Sequence, residues 1–446
     1  MSALLTDLYQ LAMLQAYQAY GFTKTAVFEL FVRTMPERRG FLMAAGLEQA
    51  IEFLESLRFE AKELEYLRRS KRFTEHFVDW LGQLRFTGDV DAPPEGTILF
   101  PDEPIIRVTA PLPEAQLVET RLINLLHFQT VVASKAARMV LAAPGKLLVD
   151  FGLRRAHGAE AGLLAARAGY VAGFSGTATV LAEERFGIPL YGTMAHSFIE
   201  AHDDEAAAFE NFARVRPAGL VLLIDTYDTE RAAQKAVDLA KRLRPDGIMI
   251  GGVRLDSGDL AEHARRVRAI LDAGGLADAT IFASGGLDED QLARFTRDRV
   301  PIDGFGVGTS LTTSGDAPSL DCAYKLQEYD GVPRRKLSSG KANWPGPKQV
   351  WRHLVDNGTM VGDLIAPAGE RRNGVPLLVP AMRAGKRVGP PASLVQIREH
   401  AHRNLAQLPS RLAALEPMTY PVEIDPQLRR LADECDQRIA AMQHST

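Results

Sequence analysis

Cysteine is scarce in this chain: Cys322 and Cys435 are the only two among 446 residues. That excludes a disulfide framework and any CxxC metal cluster. Long apolar runs are missing too. No stretch of about 18 apolar residues is free of charge, so no membrane span is expected. The opening segment MSALLTDLYQLAML carries Asp7 and has neither a basic n-region nor a small-residue cleavage site. It reads as a folded helix and not as a signal peptide, and the expected location is cytoplasmic. A strong charge of either sign is also absent. A net charge of −4 offers no general attraction to nucleic acid or to an anionic membrane. A few converging Arg, Lys and backbone N–H groups can still make one cleft positive. Neither a GxxxxGK[ST] loop nor a GxGxxG opening a helix occurs, which removes the common ATP and NAD cradles.

What is present suits a packed enzyme, with 46% hydrophobic and 24% charged residues. The length calls for two domains, or for one large barrel with an attached domain. Near the start, Thr6 is placed to cap a helix containing Leu8, Leu11, Ala12 and Leu14, and Gly21 to stop it. Residues 26–33 read as a strand and 46–57 as an amphipathic helix. Pro93, Pro94, Pro101 and Pro104 break 86–108 into short strands and turns. A long helical pattern, interrupted once, follows over 114–141. Beyond Pro144 short apolar runs recur at 147–151, 170–174, 189–194, 219–224, 247–253, 280–283, 302–307 and 322–326, with helical patterns between most of them. Repeated crossovers of this kind suit a β/α barrel, with an open doubly wound sheet as the competing reading. After Tyr329 the texture changes to a basic, turn-rich connection over 333–350, short strands over 350–380, and helices near 390–414 and 425–442. The expected fold is therefore α/β. An irregular β/α barrel with a helical lead-in occupies 114–332, and a second, mixed α+β domain is built from 1–113 and 333–446.

Three segments carry candidate chemistry. In VRLDSGDL, 253–260, Arg254 presents a planar fork that can pair with a carboxylate or a phosphate. Asp256 and Asp259 can hold Mg2+ or fix the arginine and ribose hydroxyls; Asp259 equally suits the first turn of the next helix. ASGGL, 283–287, and GVGTSL, 306–311, expose consecutive backbone N–H groups that can cradle phosphate oxygens. One glycine turn is only a tight βα connection. Two at successive strand ends point to an anionic phosphoribosyl ligand. YGTMAHSF, 191–198, places Thr193, His196 and Ser197 just past a strand, with His196 suited to act as base, metal ligand, phosphoryl acceptor or plain surface residue. Arg154 and Arg155 in DFGLRRAHG offer further anion contacts. Asp225 and Asp228 in LLIDTYDT either orient the site or cap a helix. Tyr9 shares a helix side with Met13, Ala16 and Tyr20, as a core or rim aromatic does.

Taken in order, LLTDLYQLAML, DFGLRRAHG, GTMAHSF, LLIDTYDT, GGVRLDSGDL, ASGGLDE and GVGTSL resemble the motifs of the nicotinate phosphoribosyltransferases, a family of barrel-type (type II) phosphoribosyltransferases. The resemblance spans nearly the whole chain. It implies transfer of 5-phosphoribosyl from 5-phosphoribosyl 1-pyrophosphate to nicotinate, coupled to ATP hydrolysis, with Mg2+ as cofactor. It implies nicotinate recognition by Tyr9, Thr193 and Arg254, phosphorylation of His196, and a catalytic role for Asp256. Phosphoribosyl pyrophosphate falls to Arg154, Gly285, Gly286, Gly308 and Thr309. It also implies a homodimer in which Phe151 reaches the base from the partner subunit. One motif departs from the family: Thr177, Ala178 and Thr179 stand where Thr-Ser-Asn is frequent, and Ala178 has no side-chain hydrogen bond to offer. Nicotinamide or quinolinate as the base, and a catalytically silent assembly protein, are the competing functions.

Overall fold

The computed structural model describes residues 2–337, 343–416 and 418–444; part of the connection expected over 333–350, residues 338–342, lies outside them. The chain divides into two compact units, Met1–Ser134 with Ser319–Thr446, and Lys135–Pro318. The lead-in helix is interrupted once, at Val118, between Leu112–Leu117 and Glu119–Ala142.

The second unit is built on six parallel strands: β1 (Leu147–Asp150), β2 (Gly176–Thr177), β3 (Leu220–Leu223), β4 (Ile250–Leu255), β5 (Thr280–Ser284) and β6 (Gly304–Val307). Their order is β2-β1-β6-β5-β4-β3, and Leu190 adds one parallel bridge on the far side of β2, to Thr177. The last strand thus pairs with the first, from Gly304↔Leu147 to Val307↔Asp150. Sequence order runs round the wall, as in a barrel, and does not reverse as in a doubly wound sheet. Between Leu190 and β3 no strand pairing is present among the described residues, so the parallel sheet curls into an incomplete, irregular barrel. Its strands are short and buried along most of their length, as parallel strands covered by helices must be. Aspartates mark where the helices begin. Asp228, Asp259 and Asp288 each accept backbone N–H bonds at the start of Thr229–Leu243, Leu260–Ala273 and Glu289–Arg297, satisfying donors that have no partner inside the helix.

Two of the eight apolar runs belong elsewhere. The run 170–174 is the end of helix Ala159–Ala172 and the turn at Gly173. That helix is buried on nearly all sides, so its sequence lacks the polar stripe that marks a surface helix. The run 322–326 belongs to strand Cys322–Tyr329 of the other unit, where it pairs antiparallel with Thr25–Val32.

The unit formed by the termini is mixed α and β. Its seven-stranded sheet interleaves Thr25–Val32, Asp89–Ala92 and Pro104–Pro111 with Cys322–Tyr329, Val332–Pro333, Val379–Arg383 and Lys386–Arg387. Phe28 stacks on Tyr324, ring centroids 4.9 Å apart, so residues from both ends of the chain share one core. The first helix is Leu8–Ala19, and it starts from Asp7 rather than Thr6. The Asp7 carboxylate is engaged by the Thr120 hydroxyl and caps no helical N–H.

Candidate active site

The C-terminal ends of β4 and β5 bring the principal groups together. Arg254 lies on β4 with its side chain 12% exposed. Its Nε donates to Ser284 Oγ at 2.9 Å. Nη1 donates to Thr193 Oγ1 at 3.1 Å and to the Met194 carbonyl at 3.3 Å, and Nη2 to Asp256 Oδ1 at 2.9 Å. A guanidinium has five N–H donors, so one on Nη2 is left over. The Phe151 ring centroid is 5.5 Å from the Arg254 Cζ and 5.7 Å from that of Phe282. An immobilised cation beside two aromatic rings can receive a flat anionic molecule.

Asp256 is partly buried, which by itself disfavours its charge. Hydrogen bonds from Ser284 and Arg254, with the Arg254 charge, more than compensate and hold its carboxyl below the ordinary aspartate range. Both bonds fall on Oδ1, so Oδ2 is available to another partner.

Asp225, its side chain 2% exposed, binds the next segment. Its Oδ2 accepts the Asp256 N–H at 2.9 Å and the Ser257 hydroxyl at 2.6 Å. Its Oδ1 lies 3.2 Å from His196 Nε2. A carboxylate oxygen accepts, so in this contact the imidazole donates through Nε2, and Nδ1 is the ring nitrogen that Asp225 does not engage.

The glycine turns follow β5 and β6. Gly285 and Gly286 have φ of +101° and +65°. A Cβ on Gly285 would collide with the Asp256 carbonyl, so the turn passes too close for any side chain. Gly308 precedes the short turn Thr309–Thr312. No acceptor within the described residues meets the N–H groups of Gly285, Gly286, Gly308 or Thr309. Four backbone donors at neighbouring strand ends are the chemistry an oxyanion needs.

At β1, Asp150 is buried, and burial pushes its carboxyl above the usual range against hydrogen bonds from Thr177 and Gly152. The Ala178 N–H donates to the Asp150 carbonyl at 2.8 Å. Arg154 is exposed on the turn Leu153–Arg155.

Thr193, Arg254, Asp256, His196 and Phe151 therefore converge, and Gly285 abuts Asp256. Asp259 does not join them: its Oδ1 accepts the Ala261 and Glu262 N–H groups, both at 3.1 Å, as a helix cap. Tyr9 belongs to the unit of the termini, on helix Leu8–Ala19, and is 48% exposed. Sequence reasoning missed Ser284, Phe282, Ser257 and the Asp150–Thr177 pair. Ser284 had a usable signal, as the last strand residue before a double glycine. Among the described residues no group of three or more His, Cys, Asp or Glu converges on a metal position.

Similarity to known proteins follows the chain in order. Family models match for the nicotinate phosphoribosyltransferase N-terminal domain over residues 4–127, the nicotinate phosphoribosyltransferase family over 147–333, and the nicotinate phosphoribosyltransferase C-terminal domain over 372–432. A nicotinate phosphoribosyltransferase of Mycobacterium tuberculosis is 51% identical over 425 residues, covering 95% of this chain and 91% of that protein. One from Bacillus subtilis is 42% identical over 377 residues, 82% of this chain and 76% of that protein. The crystal structure of human nicotinic acid phosphoribosyltransferase superposes with a TM-score of 0.87 at 29% identity, over 96% of this chain and 99% of that one. With a relative this similar over nearly its full length, the chain belongs to the nicotinate phosphoribosyltransferase family.

Proposed function

We propose that this protein transfers the 5-phosphoribosyl group of 5-phosphoribosyl 1-pyrophosphate to the ring nitrogen of nicotinate. The products are nicotinate mononucleotide and pyrophosphate. The observation that carries the reading is the immobilised Arg254 fork beside Phe151. The spare Nη2–H is the donor a pyridine carboxylate would take, with the ring against Phe151; the Thr193 hydroxyl, whose one proton goes to the Met194 carbonyl at 3.3 Å, holds the arginine fork in place as an acceptor. Nicotinamide has no charge to pair with that fork. Because Phe151 already adjoins Arg254 of its own chain, a base bound there meets this ring without help from a partner subunit. Tyr9 is assigned to nicotinate, and the protein to a homodimer, on family resemblance alone.

The nucleophile needs no base, since the ring nitrogen of nicotinate has a lone pair and no proton to lose. The difficult event is departure of pyrophosphate while positive charge develops on the ribose. Backbone donors at Gly285, Gly286, Gly308 and Thr309 stabilise the leaving oxygens, Arg154 adds a cation at the rim, and the ionised Asp256 favours the cationic sugar. The site fits Mg2+ as an ion arriving with pyrophosphate: Asp256 Oδ2 offers one carboxylate oxygen, and such ions take few protein ligands beside phosphates and water. Bound there, Mg2+ would neutralise charge on the leaving group. Asp259, occupied as a cap, is the weaker ligand.

ATP enters through His196. Its Nδ1 attacks the γ-phosphorus, the bond to ADP breaks, and a phosphohistidine forms that water later hydrolyses. Asp225 links that histidine to the Asp256–Ser257 backbone, so charge placed on His196 is felt beside Arg254.

Product mass analysis tests the reading, with 5-phosphoribosyl 1-pyrophosphate and nicotinate, nicotinamide or quinolinate, each with and without ATP. Nicotinate mononucleotide is the expected main product, increased by ATP. Preferential use of either other base overturns the reading, and no product from any base favours the silent protein.

A further inference from the structure

Behind the glycine turns lies a cluster of buried charge that the reaction does not use. Lys135 Nζ is 2.6 Å from Glu289 Oε2 and 2.8 Å from Asp316 Oδ1. Arg138 Nε reaches Glu289 Oε1 at 3.1 Å. Lys135, Glu289 and Asp316 have side chains no more than 3% exposed, and Arg138 is 6% exposed. Two cations face two carboxylates, so the cluster is neutral as a set.

Its position in the chain is what gives it meaning. Glu289 opens the helix that follows the Gly285–Gly286 turn, directly after the capping residue Asp288. Asp316 follows the turn Thr309–Thr312 that Gly308 introduces. Strands β5 and β6 are paired as far as Ser284↔Gly306. Past that point no backbone hydrogen bond joins the two turns. One ammonium group therefore connects the segments downstream of both. Buried ion pairs are often no more stabilising than well-packed apolar side chains of the same volume. What they add is direction, because each carboxylate must stay where its cation can reach it.

We infer that Lys135 is a positioning residue for the phosphoribosyl pyrophosphate site. By holding Glu289 and Asp316 to one point, it fixes the spacing between the N–H groups of Gly285–Gly286 and those of Gly308–Thr309. This rests on the proposed reading of those turns as the phosphate cradle. A pyrophosphate spanning two turns is sensitive to their separation, whereas nicotinate, held by Arg254, is not.

The test is the double variant Lys135→Met/Asp316→Asn. It removes one charge of each sign, keeps volumes close, and leaves the Arg138–Glu289 pair in place. The KM for 5-phosphoribosyl 1-pyrophosphate should rise about tenfold to a hundredfold, the effect expected of a small misplacement of binding groups. Inhibition by pyrophosphate should weaken in parallel, with the KM for nicotinate little changed. A folded double variant with the parent's KM for 5-phosphoribosyl 1-pyrophosphate, or with both KM values raised alike, overturns the inference. Should the double variant not fold, Asp316→Asn alone, which retains Lys135 and Arg138 against Glu289, is judged by the same ratio of KM values. Gly285→Ala separates this inference from the reading beneath it. If Gly285→Ala leaves the KM for 5-phosphoribosyl 1-pyrophosphate unaltered, the phosphate cradle itself is wrong. If it raises that KM and the double variant does not, only the role of Lys135 falls.

Discussion

Replacing Arg254 by alanine is the most direct perturbation of base selection. Arg254 makes four hydrogen bonds, to Ser284, Thr193, the Met194 carbonyl and Asp256, and a side chain 12% exposed is poorly screened by water. Truncation leaves a bound carboxylate without its cation in a site that cannot solvate it well. Losing one partner of such a pair costs about 2–5 kcal/mol, so kcat/KM for nicotinate should fall by roughly 30-fold to several thousandfold. Part of any loss comes from Asp256, which is left with Ser284 as its remaining side-chain donor. Nicotinamide serves as the internal control: the disturbance of Asp256 affects both bases, whereas the carboxylate pairing affects nicotinate alone. The ratio of the two kcat/KM values should therefore collapse towards unity. Arg254→Lys retains the charge but not the fork and should fall between parent and alanine. Steady-state kinetics with both bases, on variants whose thermal unfolding confirms a folded protein, decide the matter. A parent-like preference for nicotinate in Arg254→Ala refutes the assignment.

Other perturbations probe the groups around that arginine. Thr193→Val removes one acceptor of Arg254; a lost hydrogen bond to a charged group costs about 1.5–3 kcal/mol, so kcat/KM for nicotinate should drop at least tenfold, and an unchanged value removes Thr193 from the site. His196→Ala should abolish stimulation by ATP and the phosphoryl adduct seen by intact mass after ATP treatment; an adduct persisting on the variant excludes His196 as the acceptor. Asp256 has a folded-state pKa below its ordinary 3.8, so its ionised form stabilises the fold above that value, and the contribution is lost as pH falls through the depressed one. Asp256→Asn should consequently lose less stability than the parent between about pH 5 and pH 3, measured by thermal unfolding. Equal losses would show that the carboxylate is not held as described.

The barrel was legible because its βα units repeat a local rule: a short apolar run, a small or acidic turn, then a helix begun by Asp228, Asp259 or Asp288. The rule failed where burial hid the period. The run 170–174 ends a helix buried nearly all round, and periodicity alone does not separate such a helix from a buried strand. It failed again at Cys322–Tyr329, since an apolar strand does not announce which sheet it joins, and its partner Thr25–Val32 lies at the other end of the chain. In the candidate site, the sequence singled out Arg254, Thr193 and His196 near strand ends with several readings open for His196, and the fold brings them together with Asp225 and Asp256. Asp225 and Asp259 looked alike in sequence. Only the fold shows that one is buried against His196 and the Asp256 backbone while the other caps a helix.

If His196 carries the phosphoryl group, as proposed above, Asp225 accounts for how a histidine 37% exposed would do so. Before transfer, its Oδ1 would accept from Nε2–H and leave Nδ1 as the nitrogen facing phosphorus. After transfer, a ring bonded to phosphorus at Nδ1 remains cationic for as long as Nε2 keeps its proton, and a carboxylate 3.2 Å away favours keeping it. A cationic imidazole is a better leaving group than a neutral one, so in the proposed route the contact that helps form a phosphohistidine would also keep it labile. Because Asp225 Oδ2 simultaneously accepts the Asp256 N–H and the Ser257 hydroxyl, charge added at His196 by the proposed transfer would act on the backbone that carries Arg254. In the proposed route, formation, breakdown and signalling of the phosphorylated state would each draw on this one buried carboxylate, through its bonds to His196, the Asp256 N–H and Ser257.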